Sequence, residues 1–168
     1  MTQTDLAAPA EAAATDTRHA ARLNYQRIDP RAVQAQYGLE KYVLGSGLEE
    51  SLINLVKLRA SVMNGCAYCV DMHTTHARQA GEAERRLYAV PVWRETPFFS
   101  PRERAALAWT EAVTRIGDGG VSDALYAEAS AHFSEAELVK LTMAVVAING
   151  WNRLAITFRV PVGQPPLA

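Results

Sequence analysis

Both cysteines of the chain and two of its four histidines lie in one short stretch, as Cys66, Cys69, His73 and His76. No helix breaker interrupts the residues from the first cysteine to Gly81, so the stretch predicts a helix that begins with a Cys-x-x-Cys motif. The four side chains would share one face, because residues three and four positions apart are neighbours on a helix. Two thiols and an imidazole on one face indicate a redox site.

Metal or haem chemistry explains the same stretch less well. Haem attachment requires a histidine directly after the second cysteine, and Val70 stands there instead. Zinc ligands must converge within about 2.0–2.3 Å of one ion, whereas the helix between the outermost of the four side chains spans about 15 Å. No second cysteine pair or paired-histidine motif occurs elsewhere in the sequence. We therefore expect no metal and no other cofactor, and we expect His76 to be a solvent-exposed bystander.

Dithiol–disulfide chemistry fits these residue types better. It needs a thiolate, a second thiol that resolves the oxidised intermediate, and a group that moves the proton. Cys66 is at the predicted helix start, where unpaired backbone N–H groups and the helix dipole favour an anion. His73 follows Cys69 by one helical turn, so its imidazole can act as a base or as a cationic partner for that sulfur. The helix terminus favours Cys66 as the nucleophile and the imidazole favours Cys69, so the residues alone leave the choice open.

The segments that must position these residues all have helical patterns. Helix-start signals are clear at Asp29-Pro30 and at two capping boxes, Ser100-Pro101-Arg102-Glu103 and Ser134-Glu135-Ala136-Glu137. No stretch alternates apolar and polar residues as a strand with hairpin turns does. We therefore predict an all-α fold, with an apolar connector at residues 93–99 and with helices at about 30–44, 48–63, 66–81, 82–90 (closed by Pro91), 101–116, 122–132 and 135–158.

The predicted helix at 48–63 carries apolar residues around most of its circumference, which is typical of a helix buried on several sides. Glu50, Asn54, Lys57 and Ser61 interrupt this pattern with a single polar stripe. The stripe is either a solvated face or a surface that faces the cysteine helix and lines its site. The sequence leaves both interpretations open.

Composition narrows the range of partners and compartments. Lys and Arg number 17 against 18 Asp and Glu, so no basic patch is available for a nucleic acid or an anionic membrane. The sequence has no visible signal peptide or transmembrane segment, which predicts a cytoplasmic protein. In that compartment a Cys-x-x-Cys pair is more often catalytic or metal-binding than a structural disulfide.

The chain of 168 residues is most simply one domain with a tail at each end. Residues 1–18 have almost no large apolar side chains and predict a mobile N-terminal tail. Residues 19–160 form the predicted helical domain. Residues 161–168 are rich in proline and predict an extended C-terminal tail.

The motif Asn64-Gly65-Cys66-Ala67-Tyr68-Cys69-Val70-Asp71-Met72-His73 is accompanied by further characteristic runs at residues 55–61, 77–78, 81–82, 93–95, 103–109 and 148–155. Together these runs resemble the AhpD-like (alkylhydroperoxidase) branch of the carboxymuconolactone decarboxylase family. The resemblance covers roughly residues 25–160, and the spacing, the helix order and the flanking residues all agree.

The resemblance implies an all-helical domain whose helices pack around a buried Cys-x-x-Cys helix, and which assembles into trimers or hexamers. It implies an antioxidant thiol peroxidase that reduces hydrogen peroxide or organic hydroperoxides. Carried over to this chain, Cys69 is the peroxidatic nucleophile, Cys66 is the resolving thiol and His73 is the relay base. The implied reductant is a lipoyl-carrying protein or another dithiol donor.

Two positions depart from the family pattern. Asn54 stands where the relatives carry a glutamate that polarises the relay, and an amide cannot take up a proton. Glu50 is the candidate to substitute for that glutamate, and Lys57 is the candidate to stabilise a thiolate by its charge. Tyr68 stands between the cysteines where some relatives have histidine. We therefore expect weakened or altered peroxidase activity rather than none.

Two other functions stay open at the level of the sequence. One is lactone decarboxylation like that of the family's namesake, although that reaction does not need a Cys-x-x-Cys motif. The other is a non-enzymatic redox sensor in which the disulfide between Cys66 and Cys69 alters the oligomer.

Overall fold

A computed structural model describes residues 20–117 and 119–163 of the chain, and every regular element in these residues is a helix. The predicted all-α fold is thereby confirmed, and no helix of this part is long and apolar enough to cross a membrane. The predicted N-terminal tail at 1–18 and the end of the C-terminal tail lie outside the described residues. The helices are α1 (Tyr25–Ile28), α2 (Pro30–Leu44), α3 (Glu50–Asn64), α4 (Ala67–Gln79), α5 (Glu84–Ala89), a 3₁₀ helix (Val90–Glu95), α6 (Pro101–Thr114), α7 (Asp123–Ser130) and α8 (Glu135–Phe158).

The predicted capping signals begin the helices that they preceded in the sequence. The Asp29 carboxylate accepts a hydrogen bond from the Ala32 N–H at 3.2 Å, with proline at the start of α2. Ser100 and Ser134 each form a complete capping box with the glutamate three residues later. These local bonds satisfy N–H groups that the helices themselves leave unpaired.

Two helical segments differ from the sequence prediction. The short helix α1 was not predicted. The predicted end of the helix before Pro91 agrees with α5, which ends at Ala89. The connector predicted from Trp93 is wrong in part, because a 3₁₀ helix with a kink at Val92 covers Val90–Glu95. Proline is tolerated there because it lies in the first turn, where its missing N–H would have no helical partner.

Helix α3 is the element that holds the fold together, and it packs against α4, α6 and α8. Most of its apolar side chains are buried, as the circumferential pattern predicted, and they include Leu55, Val56 and Leu58. Because α4 follows α3 after only a short turn, the cysteine helix is held directly against this core.

A buried amide network fixes the turn that leads into the cysteines. Asn152 of α8 donates to the Ser61 hydroxyl at 3.1 Å and accepts from the Asn64 side chain at 2.8 Å. Gly65 then adopts the left-handed conformation at φ 69°, which favours glycine. The Cys66 N–H donates to the Ser61 carbonyl at 3.0 Å. The first cysteine is therefore tied by a backbone hydrogen bond to the last turn of α3.

The Gln36 side chain of α2 lies against Gly150 of α8. A Cβ atom on this glycine would lie 2.7 Å from the Gln36 side-chain oxygen. The Gln36 amide donates instead to the Ala147 carbonyl at 2.8 Å. This close contact brings the next turn of α2, which carries Glu40, alongside Trp151 of α8.

We expect Asn152→Ala to destabilise the protein by about 1–3 kcal/mol, because the buried Ser61 hydroxyl would lose its donor and the Asn64 amide would lose one of its two acceptors. Urea unfolding of the variant against the wild type measures the loss. Val146→Ala, at an exposed position of the same helix, is the control and should change stability by no more than about 0.5 kcal/mol. Equal stability of the two variants would contradict a structural role for the network.

Candidate active site

The two cysteines lie at the start of α4 and are joined in a disulfide. Cys66 is the N-cap residue, and its sulfur accepts a hydrogen bond from the Cys69 N–H at 3.3 Å. The Cα atoms are 5.3 Å apart, within the usual range for a disulfide. Both side chains are buried. The pair can therefore alternate between dithiol and disulfide without a large movement of the backbone.

A cavity of about 630 Å³ reaches the disulfide from the side of Cys69. Helices α3 and α4 form its polar wall, and the predicted polar stripe therefore faces the cysteine helix. Ser61 is the exception, because its hydroxyl is buried in the amide network. Every predicted site residue except Cys66 lines this cavity, namely Cys69, His73, Glu50, Asn54, Lys57 and Tyr68.

The side chains differ in exposure along the cavity, from its buried end, the floor, to its opening, the mouth. Cys69, His73 and Lys57 are buried, whereas Glu50 is exposed to solvent. His76 is exposed as expected, but it also borders the cavity, and its ring centroid lies 6.3 Å from that of His73. A reactant that enters past the exposed residues meets a sulfur, an imidazole and an ammonium group at the floor.

His73 is a buried imidazole without a hydrogen-bond partner. Its side chain is 5% exposed, and neither ring nitrogen is bonded to any group in the described part of the chain. Burial lowers its pKa to about 3, and the charge of Lys57 and the neighbouring His76 act in the same direction. The imidazole is therefore neutral near pH 7, and it can pass a proton on but cannot hold one as a stable cation.

An ion pair between Lys57 and Glu40 fills the floor of the cavity. Lys57 is 2% exposed, and its ammonium group contacts the carboxylate of Glu40 on α2. The other oxygen of that carboxylate accepts from the Trp151 indole N–H at 3.3 Å. The cation at the floor thus has a fixed counter-ion that also lines the cavity.

Glu40 is the functional candidate that the sequence analysis missed. Its helix shows no spacing that links it to the cysteines, so the local pattern gave no reason to select it. One signal was nevertheless available: a lysine on a helix that is apolar nearly all round must be paired with a carboxylate if it is buried.

The cavity also has an apolar wall. It contains aromatic and aliphatic side chains from α1, α2, α4 and α8, and the rings of Tyr37 and Trp151 meet edge to face with centroids 4.9 Å apart. The other members are Tyr25, Leu44, Met72 and Ala155. This wall offers contact area to a carbon skeleton as well as to a small polar group.

Metal binding has no ligand set in the described residues. Among them, no group of three or more His, Cys, Asp and Glu side chains is arranged so that it could hold a metal ion. His73 and His76 approach each other, but the disulfide occupies the two sulfurs that would have to join them.

Comparison with known proteins identifies one matching family and a similar bacterial protein. The profile of the carboxymuconolactone decarboxylase family matches residues 30–112. The uncharacterized protein YdfG of Bacillus subtilis (strain 168) is 41% identical over 135 residues, which cover 80% of this chain and 92% of that protein.

Solved structures extend the likeness to the fold. ATU0492 of Agrobacterium tumefaciens, a protein of unknown function named as a candidate antioxidant defence protein AhpD, is 47% identical with a TM-score of 0.82, over 88% of this chain and 99% of its own. An uncharacterized peroxidase-related protein from Ralstonia eutropha JMP134, described as an alkylhydroperoxidase AhpD core, has a TM-score of 0.73 over 83% of this chain and 75% of its own. At 20% identity this second structure shows the common fold alone.

We expect the oxidised protein to lose stability through His73 as the pH falls. The pKa of this group is about 3 in the folded protein, against about 6.5 in an unfolded chain, so between these values only the unfolded state binds the proton. Stability therefore rises with pH in this window, and a fall from pH 6.5 to 4.5 costs about 2 kcal/mol through this one group.

Urea unfolding of the wild type and of His73→Gln at several pH values measures the part of the pH dependence of stability that comes from His73. The variant should lack this part. His132→Gln is the control, because His132 lies outside the cavity. If His73→Gln keeps the full pH dependence of the wild type, the imidazole is not held neutral by burial.

Proposed function

This chain belongs to the carboxymuconolactone decarboxylase family, and from that premise we propose that it is an AhpD-type thiol peroxidase acting through Cys69 and Cys66. The observation that carries the proposal is the Cys66–Cys69 disulfide at the floor of a cavity, one helical turn from the buried neutral imidazole of His73. A dithiol in this position can be oxidised by a small molecule that the cavity admits.

Cys69 is the peroxidatic residue in this proposal. Cys69 lines the large cavity, whereas Cys66 does not. The Cys69 thiolate attacks one oxygen of the hydroperoxide, the O–O bond breaks, and the departing oxygen leaves as an alcohol or water after taking up a proton. Cys69 becomes a sulfenic acid. The Cys66 thiolate then attacks the Cys69 sulfur, the S–O bond breaks, and water leaves as the disulfide forms.

Proton transfer in this cycle runs through His73, with Lys57 supplying the charge that favours a thiolate. His73 accepts the thiol proton only transiently, because burial and the nearby Lys57 disfavour an imidazolium. Asn54 lines the same cavity and can hydrogen-bond, but it cannot take the proton. Glu40, which is held against Lys57, supplies the carboxylate that position 54 lacks, and Glu50 lies nearer the mouth.

Organic hydroperoxides are the substrate class that this cavity supports best. Hydrogen peroxide would occupy a small part of about 630 Å³. The aromatic and aliphatic wall formed by Tyr37, Trp151, Leu44 and Met72 gives an alkyl or aryl group a surface to bury. The hydroperoxide group would then be directed toward the polar floor.

The cycle closes when a dithiol donor, of the lipoyl type or another kind, reduces the disulfide in the cytoplasm. In this proposal the protein acts as a homotrimer or a homohexamer, as the family resemblance implies.

We expect Cys69→Ser to abolish peroxide consumption, because it removes the attacking sulfur. Cys66→Ser should still react once with peroxide and should stop at a sulfenic acid or at a mixed disulfide on Cys69. Peroxide consumption in the presence of a dithiol, followed by mass spectrometry of the trapped protein, measures both results. Full peroxide-dependent thiol consumption in both variants would contradict the proposal.

We expect Lys57→Met and Glu40→Gln to change the reactivity of reduced Cys69 in opposite directions. Loss of the cation should reduce the thiolate fraction, whereas loss of the carboxylate should leave the cation free to attract the thiolate, each by about fivefold. Alkylation of Cys69 by iodoacetamide at neutral pH, in the Cys66→Ser background, measures the rate. Glu50→Gln, at the exposed mouth, is the control with a smaller effect. Changes of the same sign in the two variants would show that this charge pair does not set the thiolate fraction.

A further inference from the structure

The two cysteines of the disulfide line different cavities. The large cavity is lined by Cys69 and not by Cys66. A second cavity, of about 190 Å³, is lined by Cys66 and not by Cys69. Tyr68 and Ala155 line both and therefore form the wall between them. The second cavity has no role in the peroxide step described above.

The second cavity is built from two helix ends. The N-terminus of α4 contributes residues 65–68, and the C-terminus of α8 with the chain after it contributes Ile156 and residues 159–162. Arg159 ends α8 in the left-handed conformation at φ 53°, and the following N–H, of Val160, donates to the Ala155 carbonyl at 3.0 Å. The chain then returns to α4, where the Gly163 N–H donates to the Asp71 carboxylate at 3.3 Å.

We propose that the second cavity is the binding site for the reducing dithiol, whose thiolate attacks Cys66. The inference rests on the proposed thiol peroxidase function and adds to it a separate entry for the reductant. Of the described residues that line this cavity, Arg159 is the only charged one, so the site offers a positive charge to an incoming thiolate.

The chemistry favours attack on this sulfur. A thiolate displaces a disulfide sulfur in line with the S–S bond, from the side away from the leaving sulfur. A reductant in the second cavity approaches Cys66 without passing Cys69, and the leaving sulfur then belongs to Cys69, which lines the large cavity. Cys69 is released as a thiolate on the cavity that the buried Lys57 also lines, and the thiolate is the form needed for the next peroxide.

The step is balanced in atoms and electrons. The first thiolate of the dithiol forms a bond to the Cys66 sulfur, and the Cys66–Cys69 bond breaks with its electron pair on Cys69. The second thiolate of the dithiol then attacks the dithiol sulfur that is bonded to Cys66, and Cys66 leaves as a thiolate. The dithiol is oxidised to a disulfide by two electrons, and the protein disulfide is reduced to two thiols that share the two protons released.

Two exposed alanines at the ends of α4 allow a matched test. Ala67, in the first turn, lines only the second cavity, and Ala80, the C-cap residue, lines only the large one. Each variant is oxidised with diamide, so that the measurement does not depend on any reaction with peroxide. The oxidised protein is mixed with dithiothreitol, quenched with acid, and its free thiols are counted by maleimide labelling.

Ala67→Trp should slow reduction by dithiothreitol about tenfold or more, because the indole fills the entry to Cys66. Ala80→Trp should instead slow the reaction of the reduced protein with a bulky hydroperoxide more than it slows reduction. Ala131→Trp, an exposed helix C-cap that lines neither cavity, should slow neither half-reaction. Ile156→Trp, also exposed and in the second cavity, replaces Ala67→Trp if that variant does not fold.

A second measurement needs no substitution. The oxidised wild type is treated with 2-mercaptoethanol, quenched early, alkylated, and digested at Tyr68, which separates the two cysteines. The mixed disulfide should be on Cys66. An adduct on Cys69, or reduction of Ala67→Trp at the wild-type rate, would overturn the proposed entry. Both results concern reduction alone, so they are distinguishable from a failure to consume peroxide.

Discussion

The ion pair between Lys57 and Glu40 sets the charge at the buried end of the cavity. A lysine that is 2% exposed needs a carboxylate, and this need ties α2 to α3. The same cation helps to keep His73 neutral, so the charge of the floor and the protonation of the imidazole are set together. The Trp151 indole holds the far side of the carboxylate and joins α8 to the arrangement.

The helices themselves could be predicted well from the sequence, because their signals are local. Bonds between a cap residue and the next turn define where α2 and α8 begin, and the predicted limits 30–44 and 135–158 agree with the structure. The 3₁₀ helix through Pro91 could not be recognised in the same way. A proline breaks a helix at an interior position but is tolerated in the first turn, and which of the two applies depends on the preceding backbone.

The candidate site was predictable only as far as helical periodicity reaches. Periodicity places Cys66, Cys69 and His73 on one helix and selects the polar stripe on the helix before it. Glu40 and Trp151 join the site through contacts between helices that are distant in the sequence, and no local spacing encodes such contacts. The separation of the two cavities has the same origin, because their common wall combines Tyr68 of α4 with Ala155 of α8.

The contact at Gly150 involves a residue that lines neither of the two cavities beside the disulfide. A methyl group at this position would displace the end of the Gln36 side chain, whose hydrogen bond to the Ala147 carbonyl joins α2 to α8. Glu40, the counter-ion of Lys57, is one turn further along α2. Sequence variation at position 150 is therefore coupled to the residue at position 36, although neither residue lines these cavities.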